Sequence, residues 1–134
     1  ALTGIHWREA WKYGLRAYRY CQHDCGHAIA AVAYAAAALG WRARLLAGWG
    51  DDALAALLGL NRAEDFADAE PEHPEIALWV GPEAPPVDLA PGALARGLSF
   101  AGRANRLSHD QRDWRGIEEG SRFPASPAPA VERG

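Results

Sequence analysis

Residues 16–60 read RAYRYCQHDCGHAIAAVAYAAAALGWRARLLAGWGDDALAALLGL, and the rest of the chain is organised around them. From about Cys25 to Leu39 alanine dominates, at Ala28, Ala30, Ala31, Ala33 and Ala35 to Ala38. Alanine is the best helix former, and with no polar face in this stretch the pattern predicts a helix buried all round. Gly40 suits the left-handed position that ends such a helix. Trp41 to Ala47 then alternates as a strand, with Trp41, Ala43 and Leu45 facing one way and Arg42, Arg44 and Leu46 the other. Gly48-Trp49-Gly50 is a turn, and Asp51 is the expected cap of a short helix with Leu54, Leu57 and Leu58 buried and Gly59 closing it. Small side chains along the first helix let another backbone come close, so its cover is expected from its own domain or from a partner subunit.

Upstream, Trp7, Trp11, Leu15 and Tyr18 recur at helical spacing, so His6 to about Tyr20 is predicted as an amphipathic helix with an aromatic core stripe. Gly14 weakens it by about 1 kcal/mol relative to alanine. His23-Asp24 is the expected break before the alanine helix, with Asp24 as its N-cap. Downstream, 63–72 is acidic and reads as a solvated loop or frayed helix. EIALWV (75–80) is a second strand with Ile76, Leu78 and Val80 on one side. The proline-rich GPEAPPVDLAPG (81–92) is a surface connection, and short helical turns are expected from Leu94 to Trp114.

The chain has 134 residues and a net charge of −3. That length suits one domain, and the charge gives no basic excess to attract nucleic acid. The longest apolar run, Ala28 to Leu39, is too short to cross a bilayer, and no signal peptide opens the chain, so the expected location is cytoplasmic with no membrane partner. The sequence contains no methionine and closes with the Pro/Ala-rich RFPASPAPAVERG. These features lead us to expect part of a longer protein, with 1–107 as the domain and 108–134 as a linker or disordered tail.

Three groups of residues have chemistry to offer. Cys21, His23, Cys25 and His27 are good zinc ligands, but on one helix the histidines lie about 200° round from the cysteine pair. Free, reduced thiols and no metal are therefore expected. The loop Leu46-Ala47-Gly48-Trp49-Gly50 can bring backbone amides against a planar or anionic ligand, though it lacks the third glycine of the dinucleotide fingerprint. Arg103 and Arg106 can hold a phosphate through forked hydrogen bonds.

The run from Tyr20 to Leu60 resembles the nitroreductase-type FMN-dependent oxidoreductases, in the branch near the dehydrogenases of thiazole/oxazole peptide pathways. Gly26-His27 at the start of the alanine-rich helix, the Gly-aromatic loop, the acidic cap, Leu58-Gly59-Leu60 and the later EIALWVG carry the likeness, which covers about Trp7 to Gly81. It implies an α+β fold with a long buried central helix and a small β-sheet, dimerising through that helix or joined to a second domain of the same chain. It further implies FMN as cofactor, NADH or NADPH as electron donor, and a small-molecule or peptide acceptor of hydride. Residue by residue, Leu46, Ala47, Gly48 and Trp49 match the loop beside the isoalloxazine ring. Arg106, and more distantly Arg103, match a late basic residue on the phosphate. No catalytic side chain is assigned. Nothing before Trp7 supplies the arginine-rich opening of the family, and Ala30-Ala31 stand where a Gln-Asn pair is usual. The resemblance is therefore to the C-terminal half of such a domain, and a non-catalytic relative used for dimerisation or peptide docking is the alternative.

Overall fold

The computed structural model describes residues 1–106 and Gly120. It is a mixed α+β arrangement of one long helix, shorter helices and two small antiparallel sheets. Strand β1 (Leu2–Gly4) leads into helix α1 (His6–Tyr13), and a single 3₁₀ turn at Gly14–Arg16 leads on to the long helix α2 (Ala17–Ala38). Strand β2 (Arg42–Leu45), helix α3 (Asp51–Leu58), a 3₁₀ turn at Ala63–Phe66, strands β3 (His73–Ile76) and β4 (Leu78–Gly81) and helix α4 (Pro91–Ala95) complete it.

The helical break falls at Gly14, not at His23-Asp24. Gly14 adopts φ 57°, ψ −140°, a backbone conformation in which a side chain is strained. The chain reverses there, α1 packs against α2, and the Tyr13 and Tyr20 rings meet at 4.6 Å. With the helix ending at Tyr13, the predicted stripe loses its continuity. Trp7 is buried beside His6 and Ala10, whereas Trp11, Leu15 and Tyr18 are exposed. The segment 21–27 runs through α2 without interruption, so Asp24 is an interior helical residue rather than a cap.

Helix α2 ends in a Schellman arrangement: Gly40 N–H donates to Ala37 C=O and Trp41 N–H to Ala36 C=O, with Gly40 at φ 71°. Within the chain the helix is not buried all round. Only the stripe Ala17, Cys21, Cys25, Ala28, Ile29, Val32 and Ala36 is covered, at the spacing of one helix face. The opposite side, with Ala30, Ala31, Ala33, Ala37 and Ala38, is exposed, and Tyr34 on it is 79 % exposed.

The apolar run 75–81 serves two partners instead of forming one strand. β3 pairs with β1 and β4 with β2, both antiparallel, the second in the register Arg42↔Gly81 through Leu45↔Leu78. Ala77, buried between them, accepts from Leu46 N–H at 2.9 Å and fastens the exit of β2 to the switch point. Two-stranded ribbons are marginal alone; here β3 leans on α3 and β2 on α2.

Helix α3 is capped by Gly50 in extended conformation, without a side-chain cap, and Asp51 and Asp52 occupy its first turn. Asp51 therefore complements the helix dipole from inside the helix rather than capping it. Leu54 is fully buried, Leu57 and Leu58 half-buried, and Gly59 closes the helix at φ 74°. The acidic stretch after it forms the 3₁₀ turn, held by Arg62 on Asp65 at 3.1 Å. The expected linker at 108–134 lies outside the described residues, Gly120 excepted. Among the described residues no helix is long and apolar enough to cross a membrane.

Candidate functional site

A buried polar arrangement lies where β1, α1, α2 and β3 meet. His6 opens α1 and is only 2 % exposed. Its Nε2–H donates to Glu75 Oε1 at 2.8 Å, across a sequence separation of 69 residues, and the Glu75 side chain is itself 9 % exposed. The imidazole of His73, two positions before Glu75 on β3, stacks on the His6 ring with centroids 4.7 Å apart and planes 11° from parallel. Glu75 also accepts the thiol S–H of Cys25. One carboxylate thus ties the start of α1 to the covered face of α2.

Gly4 makes room for this carboxylate. A Cβ at that position would stand 2.7 Å from Glu75 Oε1, closer than real contacts come. The electrostatics follow from the same geometry. Burial, then the negative charge of Glu75, pushes Cys21 up to about 11 from its ordinary value of 9.0. Cys25 also rises to about 11, through burial first, then the Glu75 charge and the hydrogen bond to it. Both thiols are free and stay protonated at neutral pH. His23 and His27 are exposed on the other side of α2, so the Cys/His cluster of the sequence is divided between two faces.

Two clefts border these residues. One, of about 280 Å³, lies on the Glu75 side between β1 and the Cys21/Cys25 turn of α2. The other, of about 310 Å³, lies between His6, His73, Glu72 and the first turn of α3. A third, of about 410 Å³, is formed by Arg16, Arg19, Tyr20 and His23 where α2 begins.

The residues expected from sequence to hold a cofactor lie elsewhere. Leu46–Trp49 forms the bend between β2 and α3, closed by Trp49 N–H on Leu46 C=O at 3.0 Å. Leu46 and Trp49 are half-buried, Ala47 and Gly48 exposed, and none of the four lines the three clefts above. Arg103 and Arg106 are exposed on a segment anchored by Ala104 N–H to Asp65 C=O at 3.0 Å. Loop geometry was readable because two glycines follow a strand. The His6–Glu75 pair was not: its members sit on separate elements, and no local spacing links them. No protein family, curated protein or solved structure matches this chain.

Proposed function

We propose that the chain is a portion of a flavin-dependent oxidoreductase of nitroreductase type, whose FMN site is completed by a second subunit packed on α2. In this reading the Leu46–Trp49 bend borders the isoalloxazine ring and Arg106, with Arg103, meets the phosphate. The flavin would supply the redox chemistry, taking hydride from NADH or NADPH, while the backbone amides of Ala47 and Gly48 orient the ring, those of Leu46 and Trp49 being engaged within the chain. The observation that carries the reading is the exposed alanine face of α2 with Tyr34, followed directly by β2 and an open bend at Ala47-Gly48. A contiguous apolar face of small residues beside a solvent-open backbone bend has the form of a surface awaiting a close-packed partner.

A second reading is a non-catalytic domain that keeps the fold for dimerisation or peptide docking. The absence of the bend from all three described clefts favours it. Titrating the 134-residue chain into FMN, and following quenching of flavin fluorescence, separates the two. Saturable quenching that Trp49→Ala weakens at least tenfold, with reduction of the bound flavin by a nicotinamide, supports the oxidoreductase. A dimer that leaves FMN fluorescence untouched supports the scaffold.

A further inference from the structure

We propose that Cys21 and Cys25 form a dithiol site for a monosubstituted trivalent arsenical, R–As(OH)₂, in the cleft between β1 and α2. The two thiols stand one helical turn apart on the covered face of α2. Both are half-buried, and both line the same cleft of about 280 Å³. At this spacing two helical Cβ atoms lie about 5–6 Å apart. A disulfide needs roughly 3.5–4.5 Å, so a direct S–S bond would strain the helix, whereas one interposed atom spans the gap. Both thiols are accordingly free.

The charge of the cleft selects the bridging atom. Glu75 from β3, Glu9 from α1 and Asp24 from α2 line it against a single guanidinium, that of Arg8. Burial, and then this negative charge, keep both thiols protonated at neutral pH. Monovalent copper would expel both protons and leave a bis-thiolate anion, one more negative charge beside Glu75. Zinc takes four ligands, and among the described residues no three His, Cys, Asp or Glu side chains could hold a metal ion. A trivalent arsenical instead takes neutral thiols and leaves a neutral adduct. Two S–H and two As–O bonds break, two S–As bonds form, and the two protons leave with the two hydroxyls as water, with no change of oxidation state. The third substituent stays on arsenic, and Leu2, Ile5 and Ala28 give it an apolar wall. The inference is independent of the flavin reading, since neither the Leu46–Trp49 bend nor Arg103 or Arg106 lines this cleft.

The test adds phenylarsine oxide, the anhydride of such an arsenical, to the reduced full chain and follows intact mass and remaining free thiols. One adduct that consumes both thiols is expected, removed by 2,3-dimercaptopropanol and resistant to a large excess of the monothiol glutathione. Cys21→Ser and Cys25→Ser, checked for folding by circular dichroism, should each weaken binding about a hundredfold, because the second bond is intramolecular. The native chain should hold the probe about tenfold more tightly than the urea-unfolded chain, because the helix fixes both thiols in advance. If a serine variant does not fold, the glutathione competition and the native-to-unfolded ratio of the parent decide. The proposal is overturned if no adduct forms, or if glutathione strips it as readily as the dithiol does. It is overturned equally if either folded single-cysteine variant binds as well as the parent, or if the unfolded chain binds as well as the native one.

Discussion

At the scale of single residues, Glu75 is the side chain on which most depends, because one buried carboxylate accepts from His6 and from Cys25. Gly4→Ala places a methyl against its oxygen, and the carboxylate must leave His6 to make way. Losing a buried hydrogen bond of this kind costs about 1–3 kcal/mol. Urea unfolding should show that loss for Gly4→Ala, while Gly48→Ala, which meets open space at an ordinary backbone angle, should stay within about 0.5 kcal/mol of the parent. The thiols give a second, pH-based expectation. Each titrates near 11 in the folded chain and near 9 when freed, so the fold favours the protonated form. Their contribution to stability is complete below pH 9 and is lost as pH rises from 9 to 11. Iodoacetamide at pH 8 should therefore label the native thiols roughly ten- to a hundredfold more slowly than the urea-unfolded ones. Glu75→Gln should narrow that gap without closing it, since burial is the larger cause of the shift. Equal labelling of native and unfolded protein would refute the arrangement around Glu75.

At the scale of elements, two helix ends carry the same backbone geometry and different surroundings. Gly40 and Gly59 both sit at positive φ, but a Cβ at Gly40 meets nothing within 4 Å, whereas at Gly59 it meets the Phe100 ring at 2.6 Å. Gly40→Ala should cost about 1 kcal/mol, the penalty for a left-handed side chain. Gly59→Ala should cost more, and the excess should disappear when Phe100→Ala is added, a coupling that thermal unfolding of the four variants measures. Both helix ends were legible in the sequence because glycine at C′ is a local signal. Gly14 was misread, since one glycine inside a helical pattern is compatible with a weakened helix or a reversal, and packing of α1 on α2 decides between them. β1 and the division of 75–81 between two sheets were illegible for a different reason. Strand pairing joins Leu2 to Ile76 and Leu45 to Leu78, contacts that no window of sequence contains. The candidate site divides in the same way: the Leu46–Trp49 bend is written locally in glycine, while His6 and Glu75 meet only once β1 has paired with β3.

At the scale of the whole molecule, the main question is what covers α2. Its inner stripe packs within the chain, yet the outer face presents alanines, Tyr34 and, past the helix end, the exposed Leu39 and Trp41. Apolar surface of this extent is stabilised by burial at roughly 25 cal/mol per Å², and the small side chains permit close helix–helix approach. Under the proposed function a second copy supplies that cover and brings its own surface to the Leu46–Trp49 bend. Sedimentation should then show a concentration-dependent dimer, and Tyr34→Glu, which places a charge in the middle of the face, should leave a folded monomer. The decisive comparison is flavin binding by that monomer. If the cofactor site is shared between subunits, Tyr34→Glu weakens FMN quenching at least as much as Trp49→Ala does, although residue 34 lies on the helix and not in the bend. If the Tyr34→Glu monomer binds FMN as well as the parent, the site belongs to one chain and the dimer has another purpose. If the parent dimerises and neither protein binds flavin, the alanine face serves assembly alone, and the scaffold reading replaces the redox one.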